Sequence, residues 1–128
     1  MAELSDFLEN KIIDHMLRNQ AYTPPATVYV ALFTTATDDT GGGTEVTGGS
    51  YARQDAGLSA ASSGASSNAA DITFPTATAD WGTVTHCALM DASTAGNMLM
   101  HSILDASKAV GNGDTFKISL GDLDVTLA

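Results

Sequence analysis

Residues 71–104, DITFPTATADWGTVTHCALMDASTAGNMLMHSIL, decide the fold of this chain. Ile72, Thr73 and Phe74 read as a strand that Pro75 closes or holds at a sheet edge, because proline cannot donate to a ladder. Residues 83–91 alternate Val84, His86, Ala88 and Met90 against Thr85, Cys87 and Leu89, the period of a half-buried strand. Small residues at 92–96 turn the chain, and residues 97–104 return as an antiparallel partner. The stretch holds the only Trp, the only Cys and two of the three His, yet assembles no recognisable catalytic set. It specifies architecture far more than chemistry.

Toward the C-terminus, Gly111-Asn112-Gly113-Asp114 is the strongest turn signal in the chain. Beyond it, Phe116, Ile118 and Leu120 share one parity while Leu123, Val125 and Leu127 share the other. The phase slips at Gly121-Asp122, which predicts a bulge or tight reversal there. Toward the N-terminus, residues 27–34, TVYVALFT, are β-branched and aromatic with apolar residues on both faces, as in a buried strand. Residues 35–49 form a long exposed loop, and 50–54 a short strand with Tyr51 inward and Arg53 on the same side. Residues 56–60 are a weak strand candidate. Residues 62–70, SSGASSNAA, carry nothing with which to build a core and read as a mobile loop.

The chain opens with a helix. Leu4, Phe7, Leu8, Ile12, Met16 and Leu17 recur at spacings of three and four, one apolar stripe over residues 4–19. Asp6 with Glu9 resembles a capping box, with Ser5 the alternative cap. Pro24 and Pro25 stop any continuation. The stripe packs either on the protein's own sheet or on a neighbouring subunit. The resulting expectation is a single domain over residues 1–128, mainly β. The amphipathic helix at 4–19 precedes an antiparallel, jelly-roll-like β-sandwich over 27–128, with about seven or eight strands.

Composition narrows the function. Fifteen Asp/Glu against five Lys/Arg give a net charge of −10, which opposes nucleic acid and anionic membrane surfaces alike. A lone Cys87 excludes an internal disulfide, and the start of the chain lacks the basic region of a secretory signal, so synthesis in a reducing cytoplasm is expected. No nucleophile elbow or phosphate-cradling loop occurs, and no cofactor is implied. His86 and Cys87 are neighbours on a strand and point to opposite faces, so they cannot share a metal. His86 and His101 facing each other across the hairpin would supply only two ligands, so both read as structural and no metal is expected. Asp38, Asp39 and Glu45 offer hard oxygen ligands but lack EF-hand order, and read as a solvated acidic loop. No enzyme emerges from this inventory.

The order TVYVALFTT, GGSYARQ, ITFPTATADWGTVTHCALMDASTAGNMLM, GDTFKISLGDLDVTLA, preceded by SDFLENKIIDHML, resembles a family of small tailed-bacteriophage structural proteins. The likeness covers nearly the whole chain, and its most specific elements are GGSYAR and FPTATADWGTVTH. It implies a virion component of tail-fibre-like, minor structural or capsid-decorating type.

Two roles then compete. A capsid decoration (cement) protein would sit on the capsid surface as a homo-oligomer, a trimer by expectation, and stabilise the head by bridging subunits of the major capsid protein. A tail fibre, tip or adaptor domain would instead take part in host attachment through tail proteins. One globular domain has no heptads or shaft repeats to extend it, which favours decoration. Candidate interface residues are Leu4, Phe7, Leu8 and Ile12 on the helix, with Tyr22, Tyr51 and Trp81 as aromatic anchors.

Overall fold

A long hairpin is the spine of the protein, in a computed structural model that describes residues 3–127. The elements run β1 (Glu3–Leu4), α1 (Asp6–Arg18), β2 (Tyr29–Phe33), β3 (Gln54–Asp55), β4 (Ala65–Ser67), β5 (Ile72–Thr73), β6 (Gly82–Met90), β7 (Met98–Val110), β8 (Lys117–Ile118) and β9 (Asp124–Thr126). Strands β6 and β7 form the hairpin, within an antiparallel five-stranded sheet of order β1-β7-β6-β2-β3. Two antiparallel ladders, β4-β9 and β5-β8, supply the second layer. The expected helix-plus-sandwich is therefore present. Its second layer is broken into two-stranded ladders, and among the described residues the strands number nine once these short pairs are counted.

The core lies between the layers. Val30, Leu32, Cys87, Leu89 and Leu99 from the large sheet meet Ile72, Phe74 and Phe116 from the second layer. Strand β2 shows why its sequence is apolar throughout. Val30 and Leu32 enter this core, whereas Ala31 and Phe33 join Ala88, Met90 and Met98 in a second cluster. Both sets are buried, so alternation between polar and apolar residues has no use here.

Several details differ from the expectations. First, Val84 belongs with Cys87 and Leu89 in the main core, not with Ala88 and Met90. The step from Val84 to His86 faces the longer step from Ile103 to Lys108, a bulge that reverses the parity of β6 midway. Second, Leu4 lies outside the helix, paired with Met100 on β7, because Ser5 caps the helix start. Third, the loop after β2 is exposed along most of its length but is not peripheral. Val46 is buried, Glu45 bridges to Phe33, and a Cβ on Gly43 would come within 3.1 Å of the Phe33 ring. The expected strand at 50–54 is reduced to Gln54–Asp55.

Fourth, residues 62–70 are not a loose loop. Ala65–Ser67 pair with β9, and the fully buried Asn68 organises the corner. Its amide nitrogen donates to the carbonyls of Ala70 and Ser119, while its Oδ1 accepts from the Leu123 amide. Low side-chain complexity hid an element whose stability comes from hydrogen bonds rather than from apolar volume. The reversal expected at Gly121-Asp122 is a tight turn, with the Asp122 amide donating to Ser119 and Gly121 at φ +82°.

Candidate interaction surface

Helix α1 is rooted at one end and free at the other. The Ser5 amide donates to the Leu99 carbonyl, its hydroxyl donates to the Met98 carbonyl, and the same oxygen accepts from the Leu8 amide at 3.2 Å. The Asp6 amide donates to the Asp39 carbonyl at 2.9 Å. These bonds satisfy donors that a helix start leaves without intrahelical partners, and bind the first turn to β7 and the loop after β2. Asn19, in the left-handed conformation at φ 55°, ends the helix.

Beyond its first turn the helix leaves the body of the protein. Leu4, Phe7 and Leu8 pack against the core. Ile12 and Ile13 are 36% and 49% exposed, and Met16 and Leu17 are 69% and 79% exposed. The stripe read from the sequence is thus divided: its start packs internally and its end is presented to solvent. Nothing in the periodicity marked this division, and Ile13 was missed because it lies beside the stripe. Tyr22 packs edge-on against Phe7, with centroids 6.4 Å apart, and the Lys11 ammonium lies 5.6 Å from the Phe7 centroid. Together these three close the rim of the rooted end.

The other two aromatic candidates lie inward. Trp81 is buried at 6% exposure and donates its indole N–H to the Gly49 carbonyl at 2.9 Å. Tyr51 is half-buried between Trp81 and Phe74, edge-on to the first and stacked on the second. Both have therefore spent most of their apolar surface inside this chain. Among the sequence-derived candidates, Ile12 alone lies in the free part of the helix.

A polar node sits at the edge of the aromatic cluster. Arg53 donates from Nε and Nη2 to the two oxygens of Glu45, each at 2.8 Å, and from Nη1 to the carbonyls of Ala92 and Ala95. The Tyr51 hydroxyl donates to Glu45 and accepts from the Leu32 amide. Burial pushes the Tyr51 phenol upward, reinforced by the Glu45 bond. Burial also acts to raise Glu45, but the Arg53 and Tyr51 hydrogen bonds outweigh it and hold the carboxyl below its usual range. Glu45 is thus a structural counter-ion and not part of a solvated loop. Asp38 holds the preceding turn through Thr40 and Gly42, and these bonds, the Thr40 hydroxyl first, lower its pKa.

The histidines do not meet. Across the hairpin His86 faces Ile103, and His101 faces Ala88. His86 contacts the Thr85 hydroxyl at 2.8 Å, whereas the buried His101 lies between Thr37 and Asp39. Burial pushes the Cys87 thiol up to about 11 and makes it a packing residue. No helix among the described residues is long and apolar enough to cross a membrane.

The family described as Podophage GP4 fiber I protein gp80 matches residues 3–126. No curated protein matches the chain. The matched span takes in the rooted helix, both layers of the sandwich and the final strand, so the likeness is to the whole architecture. The chain belongs to this podophage fibre family and is, at that level, a structural protein of a bacteriophage virion.

Proposed function

We propose that the protein is a fibre-associated head domain, attached to the virion through the free end of α1. The observation that carries this reading is the solvent-facing set Ile12, Ile13, Met16 and Leu17, on a helix whose root is fixed by Ser5. An amphipathic helix laid into an apolar groove is a common mode of peptide recognition. Side chains at these spacings present two adjacent anchors on each of two successive turns. The chain carries ten more acidic than basic side chains, which disfavours close association except where apolar contact is concentrated. In this reading the domain binds and does no chemistry, and its copies form a trimer with their helices at the junction.

The second reading is capsid decoration, with the same helix seated between subunits of the major capsid protein. It draws support from the absence of any shaft repeat within residues 1–128, which could not by themselves extend into a fibre. Copy number separates the two. A fibre component should be present at about a dozen to a few dozen copies per particle, whereas a decoration protein should approach the copy number of the major capsid protein. Quantitative gel analysis of purified virions reads this directly. Met16→Glu with Leu17→Glu should abolish incorporation into particles while leaving the melting temperature of the free chain unchanged. Normal incorporation of that double variant would refute attachment through the helix.

A further inference from the structure

Three side chains far apart in the sequence converge beneath the root of α1. Glu3 stands on β1, Asp39 in the loop after β2 and His101 on β7, and one ligand atom from each lies within 4.8 Å of the others. His101 Nε2 is 2.8 Å from Asp39 Oδ1 and 4.0 Å from Glu3 Oε2. Its ring is buried, while the carboxylate side chains are 69% exposed for Glu3 and 50% for Asp39. The other ring nitrogen, Nδ1, lies 3.0 Å from the Thr37 hydroxyl. If Nδ1 donates to Thr37, Nε2 turns a lone pair toward two negative carboxylates. A cation between them would relieve that repulsion and satisfy all three groups at once.

We infer that Glu3, Asp39 and His101 form a site for a divalent first-row transition-metal ion of the zinc class. One imidazole and two carboxylates, with open positions for water, are a borderline donor set suited to such ions. In that tautomer Thr37 is the outer partner that orients the ring. Ligand atoms around a tetrahedral ion at about 2.0–2.1 Å lie roughly 3.4 Å apart. Asp39 and His101 need to open slightly and Glu3 to close slightly, and the exposed Glu3 side chain has the freedom to do so. The backbone is already organised. Glu3 is the direct cross-strand partner of His101, and Asp39 is held through its carbonyl by the Asp6 amide. Asp38 secures the loop by accepting from Thr40 and Gly42. An ion here would join the N-terminal strand, the loop and the central hairpin, and so set how firmly α1 is rooted.

The test uses the full chain, stripped with chelator and titrated with ZnCl2 by calorimetry, with MgCl2 as the hard-ion comparison. One equivalent of zinc should bind, raise the melting temperature and slow amide exchange at Leu4 and Ser5, while magnesium should do none of these. Glu3→Gln, on an exposed side chain that folding does not need, should weaken zinc binding about tenfold, and Asp39→Asn should abolish it. His86→Gln should leave the isotherm unchanged. Absence of zinc binding below millimolar concentration, or equal binding by the native, Glu3→Gln and Asp39→Asn proteins, would overturn the assignment. The cluster would then be a hydrogen-bonded structural histidine, with Asp39 as its partner at 2.8 Å.

Discussion

Arg53 grips Glu45 with two parallel N–H···O bonds of 2.8 Å, and its third nitrogen reaches the carbonyls of the β6–β7 turn. One guanidinium thereby connects the loop after β2 to the tip of the central hairpin. The Arg53 side chain is 7% exposed and that of Glu45 23%, so the pair is screened far less than a surface ion pair.

Glu45→Gln should therefore cost about 2 kcal/mol at neutral pH, since it leaves Arg53 buried with half its partnership. The pH dependence has a fixed sign. The folded pKa of Glu45 lies below its unfolded value, so its contribution is present above roughly pH 4.3 and is lost as pH falls through the lower, folded value. Thermal melts of the native and variant proteins should differ widely at pH 7 and converge in acid. A gap that stays constant down to pH 2 would contradict this.

Asn68→Ala should cost about 3 kcal/mol, although the residue sits in the least distinctive stretch of the chain. Its loss strands the Leu123 amide and the carbonyls of Ala70 and Ser119 at a buried corner. Chemical denaturation should show a lowered midpoint. Hydrogen exchange should accelerate in β4 and β9 before it does in β6. Native stability in this variant would mean that the corner is incidental to folding.

Gly49→Ala should be among the most damaging single-methyl additions. Gly49 has φ +57°, and an added Cβ would lie 2.8 Å from Trp81 Nε1 and 3.0 Å from the Ala79 carbonyl oxygen. The left-handed backbone alone costs about 1 kcal/mol for a non-glycine residue, and displacement of the indole adds the loss of its bond to the Gly49 carbonyl. A red shift of Trp81 fluorescence together with a lower melting temperature would register both effects.

Cys87 should be inert in the folded protein. With its pKa pushed up to about 11, only about one thiol in a thousand is ionised at pH 8, and burial denies access to reagents. Alkylation should proceed at the rate of global unfolding and become rapid in denaturant. Prompt labelling of the native chain would indicate that the main core opens locally.

The sequence carried the hairpin, β2, the helix and the terminal turns clearly, because each combines a period with punctuation from Gly, Pro or Asn. What it concealed has specific causes. The irregularity where Val84–His86 faces Ile103–Lys108 has no residue signature, so the simple alternation read for residues 83–91 does not carry through to Val84. The β4–β9 ladder depends on Asn68, a polar residue acting as a core member, and hydropathy cannot register that. The division of α1 into a packed root and a free end is set by where β7 stops supporting it. The convergence of Glu3 and Asp39 on His101 is a product of register and loop path, at separations no local motif spans. Tyr51 and Arg53 were placed on one side correctly, but their shared partner Glu45 was read as solvated.

Both margins of the five-stranded sheet end in two-residue stubs, β1 on one side and β3 on the other. Past β1, the outer strand β7 arches through its bulge instead of running flat. A neighbouring chain seeking to add a strand meets only short or warped templates, the arrangement by which β-proteins resist runaway polymerisation. With its margins blunted, the sheet leaves association to side-chain surfaces rather than to strand pairing.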